Sequence, residues 1–410
     1  MMDRLPARQA SVSSIFGAMR LALITPGYAS PDEANFAIPA LTDTVRALAG
    51  RHDVHIFTLR YPHRHESYEL DGATVHAFGW ATRGGLSRVR LVQTAVTAIR
   101  REHRRQPFDL LHGLWADEPG FVATTAGRLL GRPAVVSLLG GELVGLRDIG
   151  YGGQLSRSNR LLTDRALRSA AVITAGSRYL AQIAAARVPN DRLRVLPLGV
   201  DTTLFTPTKS AATANPYATS NTPDTPRPTP HFHVLHVASL SPVKDQATLL
   251  RALAIVANAH PEVHLHIVGT GPLKAALLTQ SGELDIADRV TFHGEVSHDA
   301  LPDYYRAADL FVLTSRYESQ SLVTLEAAAC GCPIVGTAVG VLPELLDAAH
   351  VAPTGDATAL ATAISALIVN PQERGRVASE SRARVLSSFG LDRTVAELEL
   401  LYLGLCAGPR

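Results

Sequence analysis

The 410-residue sequence is poor in cysteine and lysine and has no long apolar run. Its three cysteines are too few for a disulfide framework, and the spacing of Cys330 and Cys332 is too close for a standard zinc site. We expect both to be small buried residues in a reducing compartment. No apolar stretch approaches the roughly 18 residues that a membrane-spanning helix needs. These absences argue against a disulfide scaffold, a zinc domain and a transmembrane protein, and they favour a cytoplasmic globular one.

Charge is distributed unevenly along the chain, although the formal net charge is only +2. Residues 1–200 carry 25 Lys and Arg against 16 Asp and Glu, whereas residues 201–410 carry 14 against 21. The densest basic stretch, Arg83 to Arg105, has apolar residues at helical spacing. It fits an ordinary amphipathic surface helix, and the alternative is peripheral contact with the inner face of an anionic membrane. No nucleic-acid partner is expected, because the arginines have no interleaved aromatics.

Composition divides the chain into five segments. Strand and helix patterns alternate on both sides of a Pro-, Thr- and Ser-rich stretch that cannot bury a core. The segments are a disordered extension (1–18), an N-terminal domain (19–205), a linker or insertion (206–230), a C-terminal domain (231–384) and a final helix (385–410).

The alternation predicts an α/β protein. Short apolar strands followed by amphipathic helices, such as HVLHVASL and then DQATLLRALAIVANAH, are typical of parallel sheets covered on both faces. We therefore expect two Rossmann-like, doubly wound parallel-sheet domains facing a cleft. Ligands of such sheets bind outside the carboxyl ends of the strands.

The stretch ESQSLVTLEAAACGCP carries the strongest chemical signal. Glu318 should lie in a loop after the strand DLFVLTS, and Glu326 one to two turns into the following helix. The free amides around Ser321, Leu322 and Val323 would attract a phosphate or diphosphate. Glu326 could accept hydrogen bonds from hydroxyls such as those of a ribose. By spacing alone, two solvated helix charges would look the same.

A lysine and a glycine-containing turn follow two neighbouring strands. Lys244 opens a helix, where the dipole disfavours a cation, and the chain has only two other lysines. This placement suits the neutralisation of a diphosphate. Gly269 and Gly271, in HIVGTGP, would lie beside the same ligand, although a purely structural turn would look identical.

The two glutamates and the AAACGCPIV sequence that follows the second of them resemble the donor-site motif of retaining glycosyltransferases of family 4, which have the GT-B fold. The resemblance implies a nucleotide-diphosphate sugar as donor and a sugar, lipid-linked or small-molecule acceptor. It implies that Glu318 contacts the donor sugar, that Glu326 contacts the ribose, and that Leu322 and Val323 lie behind the diphosphate. FHGEV is similar to the segment beside the base, which makes His293 a wall of that pocket.

The sequence departs from the family pattern at several positions. Ala238 and Ser239 replace the usual Gly and Arg, so one cationic diphosphate contact is missing. Leu139 replaces a His that faces the donor sugar, and the resemblance then shifts its role to Glu142 or His112.

Two further features of the resemblance concern the diphosphate. The first loop keeps only Gly27 where a Gly-Gly pair usually approaches it, and Arg316 is a candidate to replace the missing cation. No Asp-x-Asp motif suggests a metal, and no cofactor beyond the donor is expected.

The alternative function is a non-catalytic GT-B scaffold that binds a nucleotide sugar or a partner enzyme. A phosphorylase is disfavoured because no evident pyridoxal-phosphate lysine motif is present.

Overall fold

The structure is a computed structural model that describes residues 17–31, 38–80, 85–207, 216–217 and 231–407. Most of the predicted N-terminal extension and most of the predicted linker lie outside the described residues, as does Arg83.

The first sheet has eight strands in the order β3-β4-β2-β1-β5-β6-β7-β8. Its strands are β1 (Arg20–Gly27), β2 (Asp53–Tyr61), β3 (Glu66–Leu70), β4 (Ala73–Ala77), β5 (Leu110–Leu114), β6 (Ala134–Leu138), β7 (Val172–Ala175) and β8 (Leu193–Val195). Strand β1 pairs in parallel with β2 and β5, and β5 pairs in parallel with β6. The predicted parallel sheet is thus confirmed in its central strands.

The sequence analysis missed the β3–β4 hairpin at the edge of this sheet. The two strands pair antiparallel and are joined by Asp71 and Gly72, whose φ angles are 54° and 79°. An Asp-Gly pair between two β-rich runs is the usual signal for such a turn. The signal was present in ESYELDGATVHA and was overlooked.

The helices that accompany the first sheet follow the predicted pattern. They are α1 (Pro39–Ala49), α2 (Gly85–Arg105), α3 (Glu118–Leu130), α4 (Arg157–Ser169) and α5 (Arg178–Ala185). The apolar side of α2, with Leu91, Ala95 and Ile99, is buried in the core. This accounts for α2 as an ordinary amphipathic helix, and contact with a membrane remains a prediction.

No helix in the described part of the chain is both long and apolar enough to cross a membrane.

The second sheet has six strands in the order β11-β10-β9-β12-β13-β14, and every pairing is parallel. Its strands are β9 (Phe232–Val237), β10 (Val263–Val268), β11 (Val290–Gly294), β12 (Leu310–Leu313), β13 (Ile334–Thr337) and β14 (Val351–Ala352). From β9 the chain adds β10 and β11 on one side, and it then adds β12, β13 and β14 on the other side of β9. The order of strands therefore changes direction between β9 and β12. In parallel sheets this switch point is where ligands bind.

The helices of the second sheet include the one that carries Glu326. They are α6 (Gln246–Ala259), α7 (Lys274–Glu283), α8 (Leu301–Ala307), α9 (Leu322–Ala329), α10 (Leu342–Leu345), α11 (Ala357–Val369), α12 (Pro371–Ser388) and α13 (Leu391–Cys406). The segment predicted as a final helix, 385–410, holds the end of α12 and the whole of α13. Cys330 and Cys332 are buried free thiols, as expected, and burial raises the pKa of Cys330 to about 12.

The chain forms two compact units. The first comprises Met1–Ser137, Leu161–Ile173 and Asp392–Arg410, and the second comprises Leu138–Arg160 and Thr174–Leu391. Within the first unit, Arg51 donates to the buried Glu399 of α13 at 3.1 Å. The domain boundaries drawn from the sequence remain predictions.

Candidate active site

Lys244 and Glu318 are in direct contact in the second unit. The loop after β9 carries Lys244, the loop after β12 carries Glu318, and Nζ lies 2.6 Å from Oε1. The side chains are 23% and 11% exposed, so the pair is largely screened from water. Thr314 Oγ1 donates to the Lys244 carbonyl at 2.8 Å, which ties the two loops together. The structure therefore brings together the groups predicted to bind the diphosphate and the sugar.

Ser315 is a site residue that the sequence analysis missed. Its Oγ donates to Glu318 Oε1 at 2.6 Å, the same oxygen that accepts from Lys244. Both contacts use Oε1, so one carboxylate oxygen of Glu318 accepts from two side chains. A serine three residues before a glutamate is too common a pattern to have identified this role.

Helix α9 begins beside this pair. Ser321, at its N-cap, has a φ of 82°, a left-handed conformation that costs a non-glycine residue about 1–2 kcal/mol. Its hydroxyl pairs with Thr324 Oγ1 at 2.8 Å and caps no amide of the helix. The side chain of Ser321 thus leaves the amides of Leu322 and Val323 to another acceptor, as a diphosphate site requires.

Glu326 lies in the fifth position of α9 and is 6% exposed. Its Oε2 accepts from the Tyr305 hydroxyl at 2.8 Å, and its Oε1 lies 3.2 Å from His298 Nε2. Neither partner was identified from the sequence, because both lie more than 20 residues away. The sequence predicted Glu326 correctly within a helix and gave no sign of how its carboxylate is held.

The glycine-containing turn after β10 packs against the loop after β9. A Cβ on Gly269 would lie 2.0 Å from the Ala238 carbonyl oxygen, and one on Gly271 would lie 2.4 Å from that of Leu240. Both glycines are therefore needed for close packing around Ser239. Their contact with a nucleotide remains a prediction.

Gly340 supports the Glu318 loop from behind. Its φ is 59°, and a Cβ there would lie 2.3 Å from the Gln320 carbonyl oxygen and 2.9 Å from Glu318 Cβ. Gly355 has a similar φ of 78° and no atom within 4 Å of a built Cβ. The two glycines thus share a backbone conformation and differ in packing.

We expect Gly340→Ala to lower the free energy of unfolding by about 1–3 kcal/mol more than Gly355→Ala, because only the first adds overpacking to the backbone cost. The Gly340 variant should also bind the donor more weakly, since relief of the clash moves Glu318. Urea unfolding and donor titration of both variants test this. Equal losses of stability in the two variants would contradict the packing argument.

The loop at residues 139–142 packs against the Glu318 segment within the second unit. Tyr317 Oη donates to the Gly140 carbonyl at 2.9 Å, and Ser319 Oγ donates to that of Leu139 at 2.7 Å. The Glu142 carboxylate accepts from the Gly140 amide at 2.8 Å and from the Leu139 amide at 3.2 Å. Glu142 thus shapes its own loop, and its catalytic role remains a prediction.

His112 and Gly27 lie in the first unit. His112 is 2% exposed, with Nε2 2.7 Å from Ser137 Oγ and Nδ1 2.7 Å from Tyr402 Oη. Burial lowers its pKa to about 3. A Cβ on Gly27 would lie 2.8 Å from that of Tyr61. These are the surroundings of the two residues within the first unit, and their roles at the site remain predictions.

His293 ends a series of hydrogen-bonded imidazoles. Its Nε2 lies 3.0 Å from His266 Nδ1, and His266 Nε2 lies 2.9 Å from His233 Nδ1. Tyr217 stacks on His266 at 3.9 Å between ring centroids, and burial lowers the pKa of His266 to about 2. The repeated His-x-His spacing in HFH and HLH was the overlooked signal for this cluster.

A cavity of about 460 Å³ adjoins the loop that carries Lys244. Its lining includes Pro242, Asp245 and Arg316, and its volume is within the range of small-molecule sites. Arg316, the candidate replacement for the missing cation, pairs with Asp148 at 2.5 Å. Ser239, at the position of the usual Arg, lies 3.2 Å from Ser241 Oγ.

No group of three or more His, Cys, Asp or Glu residues that could hold a metal ion occurs among the described residues.

Comparison with known protein families gives two matches. Residues 219–384 match the family described as glycosyl transferases group 1, and residues 40–204 match glycosyltransferase family 4. The first range includes the Lys244–Glu318 pair and Glu326.

Individual proteins of known name are also similar. The chain is 28% identical over 333 residues to D-inositol 3-phosphate glycosyltransferase of Arthrobacter sp. (strain FB24), across 75% of this chain and 73% of that protein. The chain spans only 33% to 58% of the length of seven other curated relatives.

Solved structures share the fold over nearly the whole chain. Sucrose-phosphate synthase of Thermosynechococcus elongatus superposes with a TM-score of 0.75 at 21% identity, over 95% of this chain and 100% of that one. Anabaena HepE, in complex with UDP and glucose, gives 0.71 at 22% identity, over 94% and 100%. With both halves matched by glycosyltransferase families and the fold shared with these structures, the chain belongs to the group 1 glycosyltransferases of GT-B fold.

Proposed function

We propose that the protein transfers a sugar from a nucleotide-diphosphate donor to an acceptor hydroxyl with retention of anomeric configuration. The observation that carries this proposal is the Lys244–Glu318 contact beside the N-terminus of α9. It places a cation, a carboxylate and helix amides at the switch point of a parallel sheet. A diphosphate linked to a sugar needs these three kinds of group.

The proposed reaction exchanges one bond at the anomeric carbon and transfers one proton. The acceptor oxygen bonds to the anomeric carbon, and the bond from that carbon to the diphosphate oxygen breaks with its electron pair on the diphosphate. The hydroxyl proton passes to the leaving diphosphate on the same face of the sugar. Lys244 and the amides of Leu322 and Val323 stabilise the charge that develops there.

Glu318 has the position of a sugar-orienting group in this mechanism. When the donor diphosphate attracts Lys244, the carboxylate is released from its ion pair and can accept from sugar hydroxyls. Ser315 keeps Oε1 oriented during this exchange, because its hydrogen bond does not involve the lysine.

The names of similar proteins support the donor and acceptor classes without fixing them. The HepE structure contains UDP and glucose, and the Arthrobacter relative is named for an inositol phosphate acceptor. We propose a nucleotide-sugar donor, a sugar, lipid-linked or small-molecule acceptor, a cytoplasmic location and no requirement for a metal.

A thermal-shift panel of nucleoside diphosphates and nucleotide sugars tests the proposal. One base should stabilise the protein selectively, by about 2.7 kcal/mol at a hundredfold excess over Kd. A chelator should leave the shift unchanged, because the proposed donor contacts are a lysine and amides. No stabilisation by any nucleotide would contradict the proposed donor site.

The second candidate function is a scaffold that binds a nucleotide sugar without turnover. Two contacts favour this function. Ser239 is uncharged and lies beside Ser241, and Arg316 is paired with Asp148, so neither residue supplies a second free cation near Lys244. Donor hydrolysis and transfer to an acceptor panel separate the two functions. Donor binding with no transfer to any acceptor would favour the scaffold.

A further inference from the structure

We propose that His298 and Tyr305 hold the Glu326 carboxylate in the orientation that accepts a ribose diol, and that His298 determines discrimination between ribonucleotides and deoxyribonucleotides. This inference rests on the proposed function, since it requires a nucleoside diphosphate in the donor site. His298 and Tyr305 act as positioning residues, because each contacts the Glu326 carboxylate.

Tyr305 supplies the inner contact. It lies in α8 and is 0% exposed, and its hydroxyl donates to Glu326 Oε2 at 2.8 Å. Burial, reinforced by the neighbouring carboxylate, raises the pKa of Tyr305 well above its usual range. The hydroxyl therefore stays protonated and fixes one lone pair of Oε2 from the core side.

His298 supplies the outer contact. Its Nε2 lies 3.2 Å from Glu326 Oε1, and a carboxylate oxygen only accepts, so Nε2 carries the proton. The His298 side chain is 23% exposed and that of Glu326 8%, so the histidine lies nearer the surface. Phe205 packs edge-on against its ring at 5.1 Å between centroids, which limits the positions the imidazole can take.

The remaining acceptor capacity of Glu326 matches a vicinal diol. An ionised carboxylate has about four lone-pair positions, and Tyr305 and His298 use one on each oxygen. One position per oxygen is left, as two adjacent hydroxyls require. A 2′-deoxyribose offers a single hydroxyl, so one lone pair of a nearly buried carboxylate would stay unpaired.

Removal of the His298 donor releases one oxygen of the Glu326 carboxylate. Without Nε2–H, Oε1 is no longer fixed, and the carboxylate can turn about the bond that joins it to the side chain. The two free lone pairs then no longer face a diol together. A purely structural role for His298 would instead weaken the binding of ribonucleotides and deoxyribonucleotides equally.

The test is calorimetric titration of UDP, GDP, dUDP and dGDP into wild-type protein, His298→Phe, His298→Gln and Tyr305→Phe. Phenylalanine keeps the ring against Phe205 and removes the donor, whereas glutamine keeps an N–H at the distance of Nε2. Melting temperature checks that each variant is folded.

We expect wild-type protein to prefer the ribonucleotide of its base by about tenfold or more, as the loss of one hydrogen bond to a charged group implies. His298→Phe should reduce this ratio to about threefold or less through weaker ribonucleotide binding alone, and His298→Gln should restore it. Tyr305→Phe should lower the ratio as well.

An unchanged ratio in a folded His298→Phe variant that still binds the ribonucleotide would overturn the inference and leave the proposed function intact. Equal losses for both sugars would also overturn it, because they indicate a structural role. Failure of the wild-type protein to bind any nucleoside diphosphate of the thermal-shift panel would overturn the donor assignment itself.

Discussion

Lys244→Ala is expected to lower the rate of sugar transfer by about two to three orders of magnitude, the usual cost of removing one group that stabilises transition-state charge. Lys244 is the cation that contacts Glu318, and Arg316 is engaged with Asp148. Loss of the lysine therefore leaves the departing diphosphate to the amides of α9. Initial rates with a saturating acceptor measure the effect.

Arg393→Ala is the matched control for this variant. Arg393 pairs with Glu397 at the same kind of distance, 2.7 Å, but it lies on α13 in the first unit. Its replacement removes an exposed ion pair and should leave the transfer rate within about twofold, since such pairs contribute little. Wild-type activity in Lys244→Ala would refute the assignment of the cation.

The free energy of unfolding is expected to fall steeply as the pH drops below about 6.5, the pKa of an unperturbed histidine. Burial lowers the pKa of His112 to about 3, of His236 to about 4 and of His266 to about 2. Between these values and 6.5, each histidine is neutral when folded and protonated when unfolded. These three histidines alone then take up three protons on unfolding, which lowers stability by about 4 kcal/mol per pH unit.

Urea unfolding at pH 7.5, 6.5 and 5.5 measures this slope. His112→Asn should reduce it by about 1.4 kcal/mol per pH unit, because one proton fewer is taken up. His63, whose side chain is exposed, gives the control, and His63→Asn should leave the slope unchanged. A free energy of unfolding that stays constant from pH 7.5 to 5.5 would show that these imidazoles are not buried in the neutral form.

Local sequence was sufficient wherever the site depends on the position of a residue within one element. Glu318 follows β12 in a loop and Glu326 lies in α9, as predicted. Such positions can be predicted because the ends of strands and the starts of helices depend on residues that are adjacent in the sequence. The edge hairpin was missed despite its Asp-Gly turn, since its strands lack the fully apolar pattern of the central ones.

The hydrogen-bond partners of the site residues could not be predicted from the sequence. The sequence named Glu142 and His112 as candidates for catalysis. It did not indicate that Glu142 accepts from two amides of its own loop, or that His112 lies between Tyr402 and Ser137. It named neither His298 nor Tyr305, which hold Glu326. A polar residue looks the same in sequence whether it faces a ligand or a core hydrogen bond.

The sequence by itself determined two parallel α/β sheets, the order of their main elements and the strand ends at which a donor site would form. Periodicity and turn residues encode these features over a few positions. Only the tertiary structure decided that Lys244 and Glu318 touch, that Ser315 shares their oxygen, and that Gly340 backs their loop. The Lys244–Glu318 contact joins segments 74 residues apart, and packing of strands that are neighbours in the sheet, rather than in the chain, brings them together.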